Sequence, residues 1–265
     1  MLIRFLIFAC VFSAVSVLAE DAPKFHLLPV YRLKPVEGKQ EWITGNDFRL
    51  EKRRSEVETV SFLAVCTNLW PAGLVPIFAV EKTNHIELRR RPAFGVESSS
   101  EPLFFALPRG DETDAEKIAG SWECIATRGP DGKEFFGWDL AIEDEKLAGR
   151  FDQFTSFRFG RVAGGTFQSN RFELRIEYLN DVYVVKGDWH DGELKGNWSH
   201  SDQSESGTWK ATRTTAVLPP ATNVVALYEW RHTDGRRRYL IEGQKAGADW
   251  ERATKPLCRV WKSGL

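Results

Sequence analysis

Residues 171–179 constrain the fold more tightly than any other stretch of this chain. Phe172, Leu174, Ile176 and Tyr178 alternate with Arg171, Glu173, Arg175 and Glu177. A period of two with one apolar side describes a strand with one face in a core and the other in water. The surrounding sequence repeats the theme. Strands are predicted at 120–128, 135–143, 147–153, 157–162, 171–179, 182–190, 193–200 and 207–213. Asp131-Gly132, Asn180-Asp181 and Asp191-Gly192 mark turns between them, the last a type I′ hairpin, and Gly164-Gly165 and Ser169-Asn170 punctuate the middle. Eight hairpin-linked strands without a helical period predict an up-and-down barrel over residues 115–213. Pairing the first strand with the last leaves no exposed edge, and a barrel of this size is filled by side chains or holds one small ligand.

The first strand opens with Gly120-Ser-Trp122, and the last runs Gly207-Thr-Trp-Lys-Ala-Thr-Arg213. With the meander between them, these motifs resemble the lipocalin-like, or calycin-like, barrels of exported bacterial proteins. That resemblance implies a tryptophan closing the barrel floor beneath an arginine from a late strand. Trp122 and Arg213 fill those parts here, Arg213 sharing strand parity with Trp209. It also implies capture of a ligand.

The flanking segments resemble one another. Leu28–Leu33, Val75–Val80 and Val225–Trp230 each open a unit with an apolar strand. Each is followed by a short second strand, Glu41–Thr44, His85–Leu88 or Arg238–Ile241, and by a third, Ser61–Cys66, Pro102–Leu107 or Pro256–Trp261. Self-similarity at a period of about forty residues marks a repeat architecture. Two units precede the barrel and one follows it. Residues 24–110 and 221–265 are therefore expected to form one pseudo-threefold β domain with the barrel inserted, Pro219-Pro220 being the exit. A β-trefoil-like arrangement is the first geometry to test. Loosely, the units also resemble a repeat of exported bacterial proteins with a Leu-Tyr-Arg opening, although their second strands depart from its His-Phe-Tyr-Thr pattern. Tyr31, Phe78 and Tyr228 recur at one repeat position and are expected to pack as its hub.

Arg4, the apolar run Phe5–Leu18 and Val17-Leu18-Ala19 form a signal peptide over residues 1–19, cleaved near Ala19, so a secreted or periplasmic protein is expected. This fourteen-residue stretch, apolar apart from Ser13 and Ser16, falls short of a bilayer span, and no second long apolar run follows. Cleavage leaves Cys66, Cys124 and Cys258. Cys124 has the parity of a core residue, so Cys66 and Cys258 are the candidate disulfide, the alternative being three buried thiols. Lys and Arg total 36 against 37 Asp and Glu, a net charge of −1 that points away from nucleic acid.

No G-x-S-x-G, H-E-x-x-H, C-x-x-C or P-loop motif is present. Asp188, His190, Asp191, His200 and Asp202 suggest a metal cluster, but His200 falls seven residues beyond the position facing His190. That is about 20 Å along a strand, whereas zinc ligands lie about 2 Å from the ion, so neither metal nor cofactor is expected. Glu173 and Glu177 are about 13 Å apart along one strand, beyond even the roughly 9.5 Å of an inverting glycosidase pair. Basic triplets at 52–54, 89–91 and 236–238 are candidate anion sites, or simply solvated faces.

Ten tryptophans are divided equally between barrel and flanks. Trp138, Trp189 and Trp198, with Tyr178, have the parity of inward residues. They either fill the core or line a ligand cavity. Asn197-Trp-Ser199 matches a glycosylation sequon but lies within a strand. The expectation is an exported, non-catalytic binding protein for a glycan, an envelope component or a small apolar molecule. The competing expectation is an accessory or hydrolytic enzyme with its site at the seam between the two domains.

Overall fold

The computed structural model describes residues 22–34, 40–83, 85–92, 101–128, 132–153 and 158–263. The expected signal peptide lies outside them. Among the described residues no helix is long and apolar enough to cross a membrane.

The chain is all-β. Strands β7 (Gly120–Arg128), β8 (Gly132–Glu143), β9 (Lys146–Gln153), β10 (Arg158–Gln168), β11 (Arg171–Tyr178), β12 (Asp181–His190), β13 (Glu193–His200) and β14 (Ser206–Arg213) close into an antiparallel barrel. Each pairs with its chain neighbours, and β14 returns to β7 with Arg213 opposite Trp122. β11 is buried at every second residue, as its alternation requires. One expectation is corrected: Gly164-Gly165 does not end a strand. β10 continues through it across a bulge between Val162 and Gly164. The glycine is needed because a Cβ on Gly165 would be driven into the Glu173 carbonyl on the next strand.

Before the barrel come β1 (Leu27–Leu33), β2 (Trp42–Thr44), the single helical turn α1 (Leu50–Arg53), β3 (Val57–Val65), β4 (Val75–Glu81), β5 (Ile86–Arg89) and β6 (Phe104–Ala106). After it come β15 (Val224–His232), β16 (Arg237–Ile241), β17 (Trp250–Arg252) and β18 (Cys258–Trp261). These ten strands form one nearly closed sheet. Its free edges approach where the Leu88 amide of β5 donates to the Tyr239 hydroxyl of β16 at 2.8 Å.

Within this sheet one pairing scheme occurs three times. β1 pairs with β2 and β3, β4 with β5 and β6, and β15 with β16 and β18. In each unit the third strand touches the next through a single bridge: Val65 to Phe105, Leu107 to Arg259, and Trp261 to Leu63. The register identifies equivalent residues. Val30, Ile77 and Leu227 face Phe62, Phe104 and Cys258 across the ladder, and all six lie in one apolar cluster. Trp42, Leu88 and Tyr239 join it from the second strands. Val30, Ile77 and Leu227 are wholly buried, each a gain of about 1.5–3 kcal/mol relative to exposure.

The hub expectation is therefore corrected. Tyr31, Phe78 and Tyr228 are equivalent to one another, but alternation turns them away from the centre, and the residue before each one fills it. Tyr31 and Tyr228 are half-buried on the outer side, whereas Phe78 packs on Trp70 beside the barrel. The third strands are also offset by one residue from the sequence match, which set Ser61 against Pro102 where the ladder sets Phe62 against Phe104.

The Cys66–Cys258 pairing is corrected as well, because both are free thiols. Extending the Leu63–Trp261 register by three residues would bring them opposite each other. The segment of β6 and Leu107 intervenes instead, Phe105 pairing with Val65 on one side and Leu107 with Arg259 on the other, so β3 and β18 pair only at Leu63 and Trp261. Burial pushes the Cys66 thiol up to about 11 and the Cys258 thiol up to about 12.

Candidate functional site: the mouth of the barrel

Trp122 lies at the barrel floor. Its Nε1 donates to the Ile118 carbonyl at 2.9 Å, and the Arg213 guanidinium lies 5.2 Å from the ring centre. Arg213 is further held by the Lys117 and Ala119 carbonyls at 2.5 and 2.6 Å. Above the floor, large apolar side chains pack together in the barrel interior. Trp138 meets Trp209 edge-on at 4.8 Å, and Phe172 meets Trp209 at 5.1 Å. Trp209 Nε1 donates to the Lys186 and Asn197 carbonyls, and its ring occupies space beside Gly187 that a Cβ would fill.

The packing loosens at the opposite end, where β7 ends and β8 begins and where the β11–β12 and β13–β14 turns lie. There an apolar cavity of about 80 Å³ opens, lined by Phe136, Phe151, Tyr178, Tyr183, Val185 and Trp198. Phe151 meets Phe136 in a tilted pair at 5.4 Å and Tyr178 edge-on at 5.6 Å, and Tyr183 meets Trp198 at 6.1 Å. Trp198 is fixed by an Nε1 hydrogen bond to the Thr127 carbonyl at 3.1 Å and lies against the bare backbone of Gly207. Arg128, Glu134 and Glu205 form the rim, with Arg128 paired to both carboxylates. Burial and the nearby Asp181 hold the Tyr183 phenol above its usual value, so it remains a neutral donor at the cavity edge.

The structure therefore divides the four aromatic candidates. Trp198 and Tyr178 line the mouth together. Trp138 is a core residue, and Trp189 packs near the Asp191-Gly192 turn at the floor end. Phe136, Phe151 and Tyr183 were missed. They share inward parity with Trp138, Leu147 and Val185 respectively, a signal that marks them as inward-facing without separating mouth from core.

The remaining candidates have other partners. His200 bonds Asp202 at 2.5 Å and Asp181 at 3.3 Å, and among the described residues no group of three His, Cys, Asp or Glu could hold a metal ion. Glu173 pairs with Lys186, and Glu177 with Arg161, on the outer wall. In the first two basic triplets the arginines are internally paired. Arg53 bonds Glu41 and Glu56 at 2.7 and 2.6 Å, and Arg89 bonds Glu87 at 2.7 Å. Arg90 is buried against Glu116 at 2.6 Å and Glu112 at 3.2 Å.

At the seam, Ser121 and Asp139 are buried polar residues of the barrel wall. Ser121 exchanges backbone and hydroxyl hydrogen bonds with Trp70 at 2.8 and 3.0 Å and donates to Asp139. Arg150 binds Asp139, reaches the Asn68 carbonyl at 3.0 Å and lies over the Trp70 ring at 5.6 Å. Burial raises the pKa of one seam carboxyl, Glu143, and Asp144 adds to the rise while Arg91, 3.9 Å away, opposes it. Among the described residues Glu143 makes no hydrogen bond to a second carboxyl or histidine.

In comparison with known proteins, no family model and no curated protein matches this chain.

Proposed function

We propose that this is an exported, non-catalytic binding protein that takes a single-ring ligand, apolar or sugar, in the barrel mouth. The observation that carries this reading is the about 80 Å³ cavity with aromatic walls and a charge-paired rim, above a buried apolar cluster that includes Trp138, Phe172 and Trp209. Flat aromatic walls suit a planar ring or the apolar face of a sugar, and the Tyr183 hydroxyl and rim carboxylates offer hydrogen bonds to its edge. A lipocalin-like assignment is supported by the meander and by Arg213 over Trp122 at the floor. An internal repeat in the flanking sheet is supported by the threefold recurrence of its pairing scheme.

The test is a titration of the full chain with p-cresol and with methyl β-D-glucopyranoside, read by calorimetry. Binding of either probe is expected, with at least about a tenfold loss in Ala126→Leu, whose added methylenes enter the cavity while the exterior is untouched. Equal binding by this variant, or no binding of either probe, would overturn the reading.

A further inference from the structure

The third basic triplet differs from the other two. β15 lies between β16 and β17, and the outer face of this three-stranded patch carries rows of aromatic and arginine side chains. In one row Trp230 stands between its direct ladder partners Arg238 and Arg252. In the next, His232 faces Trp250, and its amide bonds the Arg236 carbonyl at 2.9 Å on the other side. Alternation sends Arg231 and Arg237 to the opposite face, where both pair with Glu229.

The rings hold the arginines in place. The Arg238 guanidinium lies 4.6 Å from the centre of Trp250, with Arg236 5.8 Å from the same ring, and Arg252 lies 4.5 Å from Tyr228. All three arginines are exposed, whereas Trp230, Trp250 and Tyr228 are half-buried. Arg236 already has a partner in Asp234 at 2.7 Å. Among the described residues no carboxylate forms an ion pair with Arg238 or Arg252. The face thus presents two pre-oriented planar forks, each supported by an aromatic ring and neither neutralised.

We propose that this face binds an acidic polysaccharide, with Arg238 and Arg252 each receiving a carboxylate or sulfate group. A guanidinium fork matches the two oxygens of such a group, and stacking on a ring reduces the freedom it loses on binding. The backbones of the two arginines are two strand spacings apart, about 10 Å, and each fork is set by its ring, Arg238 over Trp250 of β17 and Arg252 over Tyr228 of β15. Charge complementarity favours a glycan over single-stranded nucleic acid. A phosphodiester chain is bound along a continuous basic track, whereas this face offers two separate forks, Arg238 and Arg252. The Trp250 and Tyr228 rings are also covered by arginines rather than open for bases to stack on. The site shares no residue with the barrel mouth and does not rest on the reading given for it.

The test uses the full chain and four probes: an oligogalacturonate, a heparin oligosaccharide, a neutral maltooligosaccharide of equal length, and oligothymidylate. At least one acidic oligosaccharide is expected to bind, more weakly as salt rises. Binding to the first alone identifies carboxylates, and to the second alone sulfates. Arg238→Gln with Arg252→Gln is expected to weaken binding at least about tenfold, with an unchanged near-ultraviolet circular dichroism spectrum. Arg238→Lys with Arg252→Lys, which keeps the charge and removes the fork, is expected to fall between the parent and the glutamine variant. An unchanged affinity in the glutamine variant would overturn the proposal. So would equal binding of the neutral oligosaccharide, tighter binding of oligothymidylate, or no binding of either acidic probe.

Discussion

Replacing Asp139 with alanine tests how the barrel is fastened to the sheet. Its side chain is about one-tenth exposed, and that of its partner Arg150 about one-fifth. The carboxylate accepts from Arg150 Nε at 2.8 Å and also from the Ser121 hydroxyl. The hydroxyl in turn accepts the Trp70 amide from the sheet at 3.0 Å. Without Asp139, Ser121 loses a buried acceptor, at a cost of about 1 kcal/mol. Arg150 keeps the Asn68 carbonyl and the half-exposed Glu101, so its loss is below the usual figure for a stranded buried charge, about 2 kcal/mol. Together these give about 3 kcal/mol, a fall of roughly 6–12 °C in Tm for a chain of this size. Differential scanning calorimetry measures it. Asp139→Asn, which retains an acceptor for Ser121, is expected to lose about half as much. A change in Tm below about 1 °C for Asp139→Ala would refute the reasoning.

Gly207→Ala would place a Cβ 2.6 Å from Trp198 Nε1 and closer still to the Thr127 carbonyl. A destabilisation of about 2 kcal/mol in urea unfolding is expected, together with loss of p-cresol binding as the indole is displaced. The thiols set an alkaline limit. Cys258 and Cys66 have folded-state values raised to about 12 and about 11, so the unfolded chain releases their protons first. Stability is then complete below the unfolded thiol value of about 8.5 and falls as pH rises toward the folded values, by up to about 1.4 kcal/mol per pH unit for each thiol. Urea midpoints measured across this range should show the decline, and Cys258→Ala should flatten it. The hydrogen bond to Asp202, assisted by Asp181, holds His200 above the ordinary histidine value. Titration by NMR should show this shift in the parent and its reduction in Asp202→Asn.

Features of period two were legible in the sequence. The alternation of residues 171–178 places Phe172, Leu174 and Ile176 inside the barrel without further information, and the hairpin signals place its turns. The glycines misled where their role is close backbone approach rather than termination, as at Gly165, because nothing in one strand reveals the neighbouring carbonyl. In the flanks the equivalence of Tyr31, Phe78 and Tyr228 was visible, but which face they occupy was not. Short strands with apolar residues on both sides, such as β4 with Ile77 and Phe78 both buried, carry no parity signal. The mouth was half legible, since Trp198 and Tyr178 stand out by type while Phe136, Phe151 and Tyr183 resemble ordinary core. The seam was invisible. Its partners lie 51 and 82 residues apart in the chain and meet only once both sheets have formed.

The central claim is that a ligand enters the barrel mouth, and 19F NMR of the protein labelled with 5-fluorotryptophan tests it most directly. Trp198 lines the cavity, whereas Trp70, Trp122 and Trp138 are buried away from it. Titration with p-cresol or methyl β-D-glucopyranoside is predicted to shift the Trp198 resonance, assigned with Trp198→Phe, in a saturable manner, while those of Trp70 and Trp122 remain in place. A Trp198 resonance that neither probe moves in the folded protein would contradict the account.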